Sequence, residues 1–418
     1  TGMRVKLNSA LRKLTFAAAC LIAAGFYVAG IGRHYLAIRL MAQPNPGSLA
    51  RAAKLEPWNA EPQWELGRYF LFVAQNPASA VSHLETAVAL NPHVARYRLD
   101  LAAAYQVAGD VARQRSALEQ AVRSEPTALD VAWEAANFYL VQNDLKRALP
   151  LFRVVMANDP EQLNAALGLC WRATREVNTM LAEAVPAQPA PYFAFLSLLT
   201  NQGQTASAEA VWSRLAGLGV HFPASDAFPF FDYLIEKRET AAAVQVWRQL
   251  LQNHRGLQAY SQPGNLVVDG GLERNFLNGG FDWRYSVADA VELSVDTSEF
   301  HGGNQSLRMV FRGPGIGDPG LFEYVPVQPN ADYHFTVYTK AEDIESASGP
   351  RVAVLDAYSG QSYVLTDDSI GTTGWREQSA DFRTGAESSL LVVKVTRVPG
   401  GPLIKGKFWL DDVSLVER

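Results

Sequence analysis

The chain has 418 residues, a formal net charge of −5 and 19% charged residues. That length suits two or three domains, and the mild acidity leaves no basic field of the kind that holds nucleic acid. Its two cysteines, Cys20 and Cys170, lie far apart and show no metal-type spacing, and Cys20 falls inside an apolar run, which argues against a disulfide between them.

Arg4, Lys6, Arg12 and Lys13 precede an apolar stretch over residues 14–32. Nineteen residues are about enough to cross the hydrocarbon core as a helix. A cleaved signal peptide would have a shorter apolar region and a better small-residue site than Val28-Ala29-Gly30. An uncleaved anchor is therefore favoured over a signal peptide. A lipoprotein signal is excluded, because too few apolar residues separate Lys13 from Cys20. Arg33, Arg39, Arg51 and Lys54 follow the span, but the tighter cluster precedes it, which favours an N-terminus inside and the bulk of the chain outside the cytoplasm. Residues 33–46 extend the helix until Pro44 and Pro46, so residues 1–46 form an anchor with its extension.

Pro57, Pro92, Pro126 and Pro160 are spaced by 35, 34 and 34 residues. Each period carries small and large apolar residues at helical spacing. They are Leu66, Gly67, Phe70, Ala80, Leu84 and Ala87 in the first period and Leu101, Ala102, Tyr105, Leu118 and Ala121 in the second. The third has Ala135, Ala136, Tyr139, Ala148, Phe152 and Val155. Small residues let paired helices approach, and the proline stops one helix and starts the next. This pattern resembles the tetratricopeptide repeat, which implies stacked helical hairpins with a groove for a protein partner. The period then loosens. Residues 163–184 give a shortened pair ended by Pro186, and Ala208, Trp212 and Leu215 recur 35 positions later as Ala243, Trp247 and Leu250. The expectation is an α-solenoid of about six repeats over residues 47–255. Its tryptophans, Trp58, Trp64, Trp133, Trp171, Trp212 and Trp247, read as core at this spacing.

Residues 256–264 read as a short linker. From Asn265 onward the chain turns Gly-, Val- and Ser-rich with period-two alternation. Strands are expected over residues 291–296, 306–311, 321–327, 333–338, 352–355, 390–395 and 408–410, which together predict an antiparallel β-sandwich over residues 265–418. Gly315-Ile-Gly317-Asp-Pro-Gly320 matches a dinucleotide fingerprint in letters only. A strand follows where a helix N-terminus is needed, so it reads as a long β-loop. The segment from Gly401 to Lys407 lacks the hydroxyl a phosphate loop needs. No histidine pair with metal spacing and no nucleophile turn is present.

The sandwich opens with Asn265-Leu-Val-Val-Asp269-Gly270-Gly271-Leu272-Glu273 and Asn278-Gly-Gly-Phe281-Asp282-Trp283-Arg284. His301-Gly-Gly303-Asn304-Gln-Ser306-Leu307-Arg308 stands in the middle. The chain closes with Phe408-Trp-Leu-Asp411-Asp412-Val413-Ser414-Leu415. In this order the phrases resemble jelly-roll carbohydrate-binding modules of families 4, 9 and 22. The resemblance implies a structural calcium ion at Glu273 and Asp411; by strand alternation Asp412, one place further, should face the other way. It also implies a sugar platform of exposed aromatics, for which Trp283, Tyr285, Tyr324, Tyr358, Tyr363 and Trp375 are the candidates. Each such acid or aromatic has a plain alternative, as a turn cap or as sandwich core.

These expectations combine into a non-catalytic scaffold anchored in a bacterial inner membrane, with its bulk on the periplasmic side. Its repeats would hold a protein partner and its jelly roll a polysaccharide or another envelope component, as in proteins of exopolysaccharide assembly. The alternatives are a subunit that packs against its own copies in a surface filament and, less favoured, a glycan-active enzyme. The latter would need paired, burial-shifted carboxylates in a cleft.

Overall fold

The computed structural model describes residues 10–43, 45–260, 263–286 and 288–418, and the backbone alone of Arg12. Arg4, Lys6 and the expected stop at Pro44 lie outside the described residues. The chain divides into two compact units at Pro186/Ala187.

The first unit begins with α1 (Ala10–Met41), an uninterrupted helix of 32 residues, about 48 Å long at 1.5 Å per residue. Its apolar side chains are exposed, Leu14 by 72% and Phe26 by 77%. The stretch Lys13–Met41 is long and apolar enough to cross a membrane, a test that a signal sequence also passes. The end of α1 is tied down. Arg33 donates to the Leu55 carbonyl, and His34 Nδ1 lies 2.9 Å from Glu56 Oε1. Pro46 does not stop this helix. It starts α2 (Pro46–Leu55) in the first turn, where a missing N–H is no loss, and the Asn45 side chain accepts the Ser48 N–H at 2.8 Å.

Four hairpins follow: α3 (Glu61–Arg68, continued by a π-turn Tyr69–Val73) with α4 (Pro77–Leu90), α5 (Ala95–Val107) with α6 (Val111–Ser124), α7 (Leu129–Val141) with α8 (Leu145–Asn158), and α9 (Leu163–Thr174) with α10 (Val177–Thr179, continued by a π-turn Met180–Ala184). The period prolines sit in the connections between them. Ala80, Ala102 and Ala148 are fully buried. Gly67 packs directly on Leu84, where a Cβ would collide. Within each hairpin the turn residue is left-handed, and in the first three the following N–H returns to a carbonyl of the preceding helical segment, as in Asp110 to Tyr105 and Asp144 to Tyr139.

The second unit holds two more hairpins, α11 (Pro189–Asn201) with α12 (Thr205–Ala216) and α13 (Phe228–Glu236) with α14 (Thr240–Asn253), and then the sandwich. The described residues thus contain six hairpins, one per expected repeat. Residues 256–260 of the stretch expected as a linker belong to a fastened 3-10 turn over Arg255–Tyr260, and residues 261 and 262 lie outside the described residues. Leu257 is buried, the Asp269 N–H donates to the Tyr260 carbonyl, and the Tyr260 hydroxyl donates to the Asn275 carbonyl at 2.9 Å.

The strands are β1 (Arg284–Tyr285), β2 (Val291–Asp296), β3 (Ser306–Gly313), β4 (Leu321–Pro326), β5 (Asp332–Glu345), β6 (Arg351–Asp356), β7 (Ser362–Leu365), β8 (Gly371–Arg383), β9 (Leu390–Thr396) and β10 (Ile404–Glu417). They form two antiparallel sheets, β1-β4-β9-β6-β7 and β2-β3-β10-β5-β8. Alternation turns Phe335 and Val337 of β5 inward, onto Met309, Phe311, Val393, Phe408 and Leu410. Strand β8 escapes sequence reading because it is an edge strand with polar residues on both faces.

The sandwich is locked to the last hairpin. Phe281, 2% exposed, inserts between Phe231 of α13 and Trp247 of α14. Its ring centroid lies 4.7 Å from the first at 84° and 6.1 Å from the second at 78°. Gly279 and Gly280 permit this approach, since a Cβ at either would strike Phe228 or Trp247. Arg284 Nη2 lies 2.6 Å from Asp232 Oδ1, and Thr240 Oγ1 lies 2.8 Å from the Tyr358 hydroxyl.

Candidate functional site

The six aromatics expected on a sugar platform do not share one surface. Trp283 is fully buried among the core residues of the sandwich, so it supplies packing and not a stacking face. Tyr363 packs on that core, stacked on Phe382 at 5.2 Å, with its hydroxyl 2.6 Å from Ser388 Oγ. Tyr285 also leans on the core. Trp375 lies on the outer side of β8, 6.0 Å from His301, which stacks on Tyr338 at 3.6 Å.

Tyr324 and Tyr358 are drawn together near the last hairpin. Arg284 sits 5.3 Å over the Tyr324 ring and Arg238 sits 5.4 Å over that of Tyr358. Burial raises the pKa of both hydroxyls, and each feels the electrostatics of its neighbours in this corner.

Glu273 and Asp411 both grip the loop over residues 301–305. Asp411 Oδ2 accepts the N–H groups of His301 at 2.7 Å and Gly302 at 3.1 Å, and Oδ1 accepts that of Asp412 at 2.8 Å. Glu273 Oε1 accepts the N–H groups of Asn304 at 2.7 Å and Gln305 at 3.3 Å. Burial pushes the Asp411 carboxyl up to about 6, against the downward pull of those amides. Calcium takes six to eight oxygens. Here the two carboxylates face N–H donors, so the arrangement does not fit the ion. Among the described residues no group of three or more His, Cys, Asp or Glu is placed to hold a metal.

Sequence reasoning missed a buried acid cluster, Asp269, Asp282 and Glu323, of which the last two have no exposed surface. Desolvation pushes Asp282 up to about 7 and Asp269 to about 6, and raises Glu323 well above the usual carboxylate range. Each accepts backbone N–H groups that shape the opening segment of the sandwich. Glu323 takes the N–H of Val268, Asp282 that of Leu277, and Asp269 those of Glu273 and Arg274. These carboxyls brace a loop.

The glycine motif behaves as the expected β-loop. Arg397, 2% exposed, donates to the carbonyls of Ile316, Ser348, Gly400 and Pro402. Gly315 and Gly400 let these loops meet, since a Cβ at either would strike backbone.

Two of the concavities in the second unit lie against its helical hairpins. Between α11 and α13 lies a groove of about 650 Å³, with Phe193, Leu196 and Phe230 along it and the exposed acids Asp226, Asp232 and Glu236 at its rim. A polar cavity of about 720 Å³ lies where the α13–α14 turn meets the β6–β7 and β8–β9 loops. In the first unit a smaller groove of about 360 Å³ runs along Trp133, Asn137, Phe138 and Val141 of α7 with Gln106 of α5. The left-handed turn position within the hairpins holds Gln75, Gly109, Asn143, Arg175, Gly203 and Arg238, so it carries no signal for the polar cavity.

No family model matches the chain, and no curated protein matches it. Solved structures similar to it include a CBM4 structure, at 12% identity over 36% of this chain and 99% of that one, with a TM-score of 0.29. The CBM22-1 xylan-binding domain of Paenibacillus barcinonensis Xyn10C is similar at 16% identity over 38% of this chain and 97% of that one, with a TM-score of 0.27. The MamA protein is similar at 13% identity over 46% of this chain and 91% of that one, with a TM-score of 0.29.

Proposed function

We propose that the protein is a non-catalytic scaffold of the bacterial envelope. Helix α1 holds it in the inner membrane with the bulk on the periplasmic side, the hairpin grooves take a protein segment, and the sandwich takes a polysaccharide. One observation carries this reading. Phe281 and its glycines make the last hairpin pair and the sandwich one body, so a groove suited to a peptide is rigidly joined to a β-sandwich. A partner held by one part is then presented at a set position to whatever the other holds. The burial of Asp282 and Glu323, which have no exposed surface, supports reading these acids as structural and not as a catalytic pair. We propose also that the amide-bearing loop over residues 301–305 takes the place of an ion at Glu273 and Asp411.

The test uses the full chain. Membranes from expressing cells are floated after an alkaline wash, and the purified chain in nanodiscs is screened against oligosaccharides. Flotation together with saccharide binding is the expected result. Loss of flotation removes the anchor, and silence toward every sugar removes the glycan role. The second reading, a self-assembling subunit, would show as large oligomers in sedimentation whether or not sugar is present.

A further inference from the structure

We propose that the polar cavity at the α13–α14 turn is an oligosaccharide subsite built jointly by the last hairpin and the sandwich loops. This rests on the reading that the sandwich holds a glycan, and it names the place.

The cavity measures about 720 Å³, within the range of small-ligand sites. Its wall is fixed by internal bonds. Asp356 Oδ1 accepts the N–H groups of Tyr358 at 3.0 Å and Ser359 at 2.7 Å, with the Ser359 hydroxyl at 2.9 Å. The Tyr358 hydroxyl and Ser389 are both held by Thr240, at 2.8 Å and 3.1 Å. The rim differs. The guanidinium of Arg238 lies over the Tyr358 ring at the cavity edge, and among the described residues the amide of Gln361 and the carboxylate of Glu387 line it with no side-chain hydrogen bond or ion pair.

That division suits a polyhydroxylated ligand. A sugar ring presents donors and acceptors alternately around its edge and an apolar C–H face. Planar side chains with uncommitted donors and acceptors meet the edge, and a rigid hydroxyl-lined wall with one aromatic ring supports the rest. The lining sets the one positive charge of Arg238 against the carboxylates of Asp356 and Glu387, which favours a neutral glycan.

Arg238 supplies a second line of argument. Its φ of 62° is left-handed, costing an L-residue about 1–2 kcal/mol. Gly109, Asn143 and Gly203 fill the same turn position, as do Gln75 and Arg175, so strain alone decides nothing. What sets Arg238 apart is its destination, over the Tyr358 ring and at the cavity rim. The turn would fold better with asparagine, which makes Arg238→Asn a variant that removes the guanidinium without harming the fold.

The full chain in nanodiscs is titrated calorimetrically with cellohexaose, xylohexaose, chitohexaose and a hexauronate. At least one binds, and R238N and E387Q each weaken it by about tenfold or more, the scale of a lost charged hydrogen bond. The melting temperature of R238N stays equal or rises. If the parent binds and both variants stay within twofold, this cavity is not the subsite, although the sandwich still holds glycan elsewhere. If no oligosaccharide binds, the subsite and the glycan reading fall together.

Discussion

Replacing Phe281 by alanine tests whether the last hairpin and the sandwich form one cooperative body. The ring is 2% exposed and meets Phe231 and Trp247 edge-on. Truncating a buried phenylalanine costs about 3–5 kcal/mol, and each aromatic pair is worth about 0.5–1.5 kcal/mol beyond its area. A loss of about 4 kcal/mol follows for the unit Ala187–Arg418. In a body of this size that lowers the melting temperature by roughly 10 °C. Part of the loss would come from the sandwich alone, so the decisive measurement is a double-mutant cycle with Phe231→Ala, followed by scanning calorimetry. Coupling of about 1 kcal/mol or more is expected for side chains in direct contact. Limited proteolysis within the turn Arg255–Tyr260 should also speed up in the single variant. A coupling near zero with unchanged cleavage would mean that the two parts merely touch, and the rigid-scaffold argument would fail.

Gly67→Ala should cost about 1–3 kcal/mol by overpacking, because its Cβ would meet Leu84 across α3 and α4; denaturant unfolding of the first unit reads this. Stability should fall as pH rises. Burial raises the folded-state carboxyls of Asp282, to about 7, and of Glu323 above their unfolded values. Their protonated forms thus favour folding fully at low pH; the Asp282 contribution fades from about pH 4 through about pH 7, and that of Glu323 is lost as pH rises through its raised folded-state value. Glu323→Gln should flatten the curve, whereas an unchanged pH profile would show that the cluster is not buried in solution. Asp296 acts in the opposite sense. Hydrogen bonds from Ser298 and Trp409 outweigh its desolvation and hold it well below the carboxylate range, so its contribution is lost only in strong acid. A chelator should leave the melting temperature unchanged, since N–H groups occupy Asp411 and Glu273; a drop of several degrees would restore an ion to that position.

Periodicity sufficed for the helical hairpins and for the alternating strands because both signals are local. The prolines and buried alanines of the hairpins repeat at 34–35 residues in the chain itself, and period-two alternation marked β3, β5 and β9. The polar edge strand β8 had no such signal. Pro46 was misjudged because a proline fits the first turn of a helix as well as it ends one, and Asn45 as cap decides which. The site was less legible. Whether Trp283 lies in the core or on a face, and whether the oxygens of Glu273 and Asp411 meet amides or an ion, depends on residues more than 30 positions away. The chain by itself therefore determined the helices and the alternating strands, since spacing of apolar residues along a few turns is enough, but not the polar edge strand β8. Only the tertiary structure decided that Phe281 joins hairpin to sandwich and that Arg238, Tyr358 and Glu387 surround one cavity, because burial and contact are set by partners that no local pattern names.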